Sequence, residues 1–135
     1  MANQKLAVLD IDPSIMGDLA EIGIRDTRTL LAQGRTIQGR QVISSRTGLP
    51  ADVILQWVHF ADLCRIRGVG TEYSQLLGHV GVATLRALRS SSAPGLVTAL
   101  AEANDVHHLA RRLPSEAEVG GWIQQAFELD AVVEL

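Results

Sequence analysis

The segment IRGVGTEYSQLL, residues 66–77, carries the clearest local signal in the chain. A helical pattern ends, two glycines flank one valine, and a new helical pattern begins at once. Glycine adopts backbone conformations closed to other residues, so Gly68 and Gly70 predict a tight turn in which each holds a positive φ. The Val69 side chain is predicted to pack between the two helices. Peptide N–H groups beside the start of the new helix would favour an anion.

The pattern around this turn occurs twice in the chain. A shift of 58 residues aligns Val8–Asp12 with Ile66–Gly70 and Ile22–Asp26 with Val80–Thr84. Later in each half, a proline leads to a tryptophan: Pro50 to Trp57 and Pro114 to Trp122. We therefore predict two related helical units, residues 1–64 and residues 65–135, with both tryptophans in the core.

The first copy departs from the pattern at the turn. It has Asp10 and Asp12 in the places of Gly68 and Gly70. Two carboxylates would repel a phosphate and could satisfy the N–H groups themselves. The first hairpin is therefore predicted to be structural only.

Capping signals predict the helices. Gly23 and Gly81 suit helix C-termini, and Asp26 and Thr84 suit the N-caps that follow them. Ser115 and Glu118 form a capping box for the last helix. Further helices are predicted from about Asp26 to Gly34, over 37–47, from Pro50 to about Cys64, and over 71–80, 84–91, 94–103 and 104–111.

Composition favours an aliphatic, helical interior. The 135 residues are 47% hydrophobic but only 4% aromatic, and no window alternates with the period of a β-strand. No apolar run approaches the roughly 20 residues that a transmembrane helix needs. A single cysteine excludes a disulfide framework and a cysteine-based zinc site. These features predict a cytoplasmic protein.

Residues 66–84 resemble a helix-hairpin-helix motif, whose Gly-apolar-Gly turn holds a nucleic-acid phosphate without reading sequence. Most of the chain resembles one family, the domain-of-unknown-function family 4332, which is built from two such units. The residues that carry this resemblance are Trp57-Val58, Ala61-Asp62-Leu63, Arg65-Ile66, Gly68-Val69-Gly70, Glu72-Tyr73-Ser74, Leu76-Leu77, Arg111-Arg112, Pro114-Ser115 and Trp122-Ile123. The resemblance implies an all-α fold in which two helix-hairpin-helix-like units pack as one compact helical domain.

Charge is distributed unevenly along the chain. Residues 25–112 carry eleven arginines against six acids, while residues 113–135 carry five acids and no base. Arginine suits bidentate contact with phosphate or carboxylate. The candidate phosphate site comprises Arg65, Arg67, Gly68, Val69, Gly70, Arg86 and Arg89.

Two functions stay open at this point. The first is sequence-independent contact with a nucleic-acid backbone, DNA or RNA, through the second hairpin. The alternative is a protein-interaction or assembly module with no nucleic-acid role, which the acidic ends and the degenerate first hairpin favour. The sequence predicts neither the protein partner nor the oligomeric state.

No enzymatic motif stands out, so we expect a non-enzyme without cofactor. The four histidines lack metal-ligand spacing, so no metal site is expected. Arginines beside Cys64 could lower the pKa of its thiol, but an inert, half-buried thiol is the preferred interpretation. Tyr73 is interpreted as a core aromatic rather than a platform for base stacking.

Overall fold

The computed structural model of the chain describes residue 6 and residues 11–135. Within that part of the chain no residue lies in a β-strand, so the predicted all-α fold class is confirmed. The described residues form eight α-helices: α1 (Pro13–Glu21), α2 (Thr27–Gly34), α3 (Ile37–Thr47), α4 (Ala51–Leu63), α5 (Thr71–His79), α6 (Leu85–Arg89), α7 (Ala93–His107) and α8 (Glu116–Glu128). None of these helices is long and apolar enough to cross a membrane.

The chain divides into two units, each with its own apolar core. The first unit runs to Asp62 and also includes residues 131–135, and the second unit is Leu63–Asp130. The sequence division placed residues 131–135 with the second unit. In the structure they belong to the first, because Val133 packs against its core and the Glu134 N–H donates to the Arg35 carbonyl at 2.7 Å.

The first helices of the two repeated units, α1 and α5, match in length and in the way they end. Both helices have nine residues, and in both a left-handed glycine lies two residues after the last helical residue, Gly23 at φ 84° and Gly81 at φ 83°. The residue after each glycine reaches back in the same way. The Ile24 N–H donates to the Leu19 carbonyl at 2.9 Å, and the Val82 N–H donates to the Leu77 carbonyl at 2.8 Å. These are the bonds of a Schellman motif, as the glycine positions predict.

The later tryptophans also lie on matching helices. α4 and α8 have thirteen residues each, and the tryptophan is the seventh residue of both. Trp122 is only 2% exposed in the second core, whereas Trp57 is partly buried against the first core. The capping signals at Asp26, Thr84 and Ser115 are confirmed, since each side chain accepts from a backbone N–H of the helix it starts.

One stretch differs from the sequence prediction. Residues 94–111 were predicted as two helices, but α7 continues from Ala93 to His107 because no glycine or proline interrupts it after Gly95. The helix ends at His108, which adopts a left-handed φ of 51°. The Asn104 side chain then pairs with both backbone groups of Ala110 at 2.9 Å and fixes the connection that leads to α8.

Candidate phosphate site at the second hairpin

The second hairpin joins α4 to α5 through residues 64–70. Gly68 has a φ of 94°, which confirms the conformation predicted for it. Val69 is fully buried in the second core, also as predicted. Gly70 differs: its φ of −90° and ψ of −166° are extended backbone that any residue adopts, so the prediction of a positive φ there is wrong.

A second constraint on Gly68 comes from Trp122. A Cβ on Gly68 would lie 2.9 Å from the indole Nε1 of Trp122, too close for an ordinary contact. The Tyr73 ring lies against the same indole, with the two ring centroids 5.3 Å apart. The glycine at 68 thus serves the packing of the second core whether or not the hairpin binds a ligand.

Gln125 of α8 holds the hairpin backbone from the side. The Arg67 N–H donates to Gln125 Oε1 at 2.8 Å, and Gln125 Nε2 donates to the Arg67 carbonyl at 3.1 Å. The Val69 N–H donates to the Ile66 carbonyl at 3.3 Å. These two N–H groups of the turn therefore serve the protein's own structure. Sequence reasoning missed Gln125, although it lies one helical turn after Trp122 on the same side of α8.

The start of α5 faces an open depression. Its N-cap is Gly70, which supplies no side-chain hydrogen bond to the helix. The depression has a volume of about 370 Å³ and is lined by Gly68, Gly70, Glu72 and Tyr73. The helix N-terminus favours negative charge in this depression, while the Glu72 carboxylate opposes it.

The start of α1 is the matching position in the first unit. Here the N-cap is Asp12, whose carboxylate accepts from the Ser14 N–H at 2.9 Å and from the Ser14 hydroxyl at 2.7 Å. These hydrogen bonds from Ser14 lower the pKa of Asp12. The carboxylate thus occupies the position where an anion would bind, as predicted for the first hairpin. The other aspartate of that hairpin, Asp10, lies outside the described residues.

The predicted arginines do not all gather at the glycines. Arg65 and Arg67 line a separate pocket of about 150 Å³ together with Gln125, Glu128 and Leu129. Arg65 Nη1 also donates to the Asp130 carbonyl at 3.0 Å.

The two remaining arginines of the candidate site lie on α6, where Arg86 is exposed and Arg89 is half-buried. Neither is among the described residues that line the depression or the pocket. The structure therefore brings Arg65 and Arg67 together but leaves Arg86 and Arg89 on a different element.

Other candidate groups have structural partners. The Tyr73 hydroxyl donates to the Arg112 carbonyl at 2.7 Å. The Arg112 guanidinium and the Ser115 N–H hold the pKa of Glu118 down at about 2. Cys64 is fully buried, and burial raises the pKa of its thiol to about 12. The interpretation of an inert thiol fits this burial better than activation by arginine does.

The histidines show one contact that the sequence did not predict. His79 at the end of α5 and His107 at the end of α7 stack, with centroids 3.7 Å apart and ring planes 13° apart. Among the described residues, no three His, Cys, Asp or Glu side chains are grouped as a metal ion would need.

Comparison with known protein families assigns the chain to one of them. The model of the family described as Domain of unknown function (DUF4332) matches residues 10–129, so the chain belongs to that family. No curated protein and no solved structure matches the chain.

Proposed function

We propose that this member of the DUF4332 family is a non-catalytic binding module whose second hairpin contacts a nucleic-acid backbone without reading its sequence. One observation carries the proposal: α5 starts at Gly70 without a side-chain cap, beside an open depression of about 370 Å³. A phosphate oxygen there would meet the first N–H groups of α5 and the positive end of its dipole.

The first hairpin supports this assignment by contrast. At the matching position Asp12 caps α1 with its own carboxylate. The chain therefore offers one phosphate position rather than two. We expect weak binding, with a Kd of about 10⁻⁶ to 10⁻⁴ M, and a shallow dependence on salt, because few counterions are released.

Arg67 is the arginine best placed to assist. Its side chain is exposed and follows directly from a backbone that Gln125 fixes on both sides. Arg65, which lines the same pocket as Arg67, and Arg86 and Arg89 on α6 add positive potential. None of these groups distinguishes one base from another, so the proposed contact is independent of sequence.

The decisive variant copies the first hairpin into the second. Gly70→Asp would cap α5 as Asp12 caps α1, and it would place a carboxylate where the phosphate is expected. Gly70→Ser is the matched control, because it supplies a cap without charge. We expect Gly70→Asp to abolish binding while its thermal midpoint stays equal to or above that of the parent. Gly70→Ser should retain most of the binding.

Binding is measured by fluorescence anisotropy with labelled mixed-sequence duplexes and single strands at low salt. Arg67→Glu should also abolish binding with the fold intact, since it replaces attraction by repulsion. Asp12→Gly should strengthen binding, because it removes a carboxylate from a second potential phosphate position. If the parent chain changes the anisotropy of neither the duplexes nor the single strands at high protein concentration, the nucleic-acid proposal is wrong.

A second candidate is a protein-interaction or assembly module. Phe127 favours it, because this aromatic side chain on α8 is 66% exposed. The acidic Glu72 at the hairpin depression also fits a protein surface better than a phosphate. In this case tagged protein copurified from its native cell retains the same partner after nuclease treatment, and Phe127→Ser loses that partner. A partner lost on nuclease treatment points instead to nucleic acid.

A further inference from the structure

The ends of α5 and α7 meet in a stack of two imidazole rings on the surface of the second unit. His79 is the last residue of α5 and His107 is the last residue of α7. Their ring centroids lie 3.7 Å apart, and the ring planes are 13° from parallel. Both residues are exposed, and Val106 beside them in the chain is 72% exposed. An aromatic stack with an apolar neighbour therefore lies on the surface rather than in the core.

The position of the stack at two helix ends determines which part of a nucleotide it suits. A helix C-terminus is the negative end of the helix dipole, so the ends of α5 and α7 both disfavour a phosphate. Asp105 is exposed on the last turn of α7 and adds a negative charge there. A nucleobase is uncharged, and histidine is one of the aromatic side chains on which unpaired bases stack. The stack thus suits a base and not a phosphate.

Helix α5 connects this stack with the phosphate position proposed above. Its N-cap is Gly70 and its last residue is His79, so its nine residues span about 13 Å. This length corresponds to about four nucleotides at a rise of about 3.4 Å for each nucleotide of a stacked strand. Gly78 is exposed, and nothing lies within 4 Å of a Cβ built on it, so the surface of α5 directly before His79 is open. One strand can therefore reach both ends of this helix.

We propose that the ligand is a single strand, and that one of its bases stacks on the His79–His107 pair while one of its phosphates lies at the start of α5. This inference rests on the proposed nucleic-acid function and adds the type of strand to it. In a duplex the bases are already stacked and paired, so they do not reach the imidazoles. Stacking uses the π-face that every base has, so this contact is also independent of sequence.

The test compares ligands that differ only in their bases. Fluorescence anisotropy measures the binding of a labelled mixed-sequence single strand, of its duplex, and of a single strand of the same length made of abasic sugar-phosphate units. We expect the parent chain to bind the single strand at least about fivefold more tightly than the duplex or the abasic strand. The abasic strand keeps the phosphates, so its binding reports the hairpin alone.

His107→Asn removes one ring of the stack, and His108→Asn is the matched control. His108 is also exposed but lies outside the stacked pair, and asparagine tolerates its left-handed φ of 51°. We expect His107→Asn to lower the affinity for the single strand at least about fivefold and to leave the affinities for the duplex and the abasic strand unchanged. His108→Asn should bind all three ligands as the parent does.

Nuclear magnetic resonance of the histidine ring protons gives a readout that a merely structural stack would not change. A base on the stack should move the His79 and His107 ring protons upfield when the single strand is added, and the abasic strand should not. Equal binding of the three ligands, or equal losses in His107→Asn and His108→Asn, would overturn the base contact while the phosphate proposal stands. If none of the three ligands binds the parent chain, the function proposed for the hairpin is wrong and the base contact is wrong with it.

Discussion

At the scale of single residues, the two glycines of the second hairpin have different roles. Gly68 combines a φ of 94° with a contact to Trp122 that leaves no room for a Cβ. Gly70 has an extended backbone and nothing within 4 Å of a Cβ built on it. The sequence predicts that a Gly-Val-Gly turn exists, but it gives both glycines the same role. The sequence does not reveal the separate role of Gly68, because the side chain that crowds it, Trp122, lies on a helix more than fifty residues later in the chain.

This difference yields a stability prediction. Gly68→Ala should lower the free energy of unfolding by about 1–3 kcal/mol, because it strains a left-handed position and crowds the indole. Gly70→Ser should change it by a few tenths of a kcal/mol. Urea denaturation followed by circular dichroism measures both. Equal effects of the two substitutions would show that the turn is assigned wrongly.

Cys64 gives a prediction with a defined dependence on pH. Its thiol has a pKa of 9.0 when unperturbed and of about 12 in the folded chain, because it is buried. Above pH 9 the unfolded chain loses this proton while the folded chain keeps it, so stability falls as the pH rises from 9 towards 12. The urea midpoint of the parent should therefore fall more between about pH 8 and about pH 10 than that of Cys64→Ala. Parallel curves would contradict the burial of this thiol.

At the scale of helices, the sequence predicts starts better than continuations. Asp26, Thr84 and Ser115 are local signals, and all three cap the helices predicted for them. The unbroken α7 was missed, because length depends on where the apolar face keeps packing rather than on a single capping residue. The link after α7 takes its shape from Asn104 and Ala110, a side chain-to-backbone pairing that no helical periodicity reports.

The matching helices α4 and α8 provide a paired test. Trp122→Ala should cost about 3–5 kcal/mol in unfolding free energy, because its 2% exposed indole fills the second core. Trp57→Ala should cost less, since Trp57 is only partly buried at the edge of the first core. Urea denaturation followed by circular dichroism compares the two variants. A larger cost for Trp57→Ala would contradict the burial described for the pair.

At the scale of the whole molecule, the sequence could not predict where residues 131–135 would pack. The two-fold repeat was visible as matching residues at offsets of 58 and 65. Residues 131–135 have no counterpart in that repeat and no periodicity of their own. Their place on the first unit depends on Arg40 and on the α2–α3 connection, which lie more than ninety residues earlier in the chain.

Removing residues 131–135 should therefore destabilise the first unit. A chain ending at Asp130 loses the Val133 contact and leaves the buried Arg40 without one of its acceptors, at a cost of about 3 kcal/mol. The fluorescence of Trp57 in a Trp122→Phe background reports this unit during urea denaturation. Deleting only Leu135, which is 78% exposed, is the control and should leave the midpoint unchanged. An unchanged midpoint for the longer deletion would show that residues 131–135 contribute nothing to the stability of the first unit.

The paired hydrogen bonds between Gln125 and Arg67 have a consequence for the exchange of protons with solvent. A backbone amide in an exposed turn ordinarily trades its hydrogen for deuterium quickly, but the Arg67 amide is held at 2.8 Å by a side chain that is itself anchored on α8. Arg67 should therefore retain its hydrogen much longer than a free turn amide and lose it only when the hairpin leaves α8. Replacing Gln125 with leucine would remove this protection, which gives a spectroscopic marker of hairpin opening in the middle of a loop.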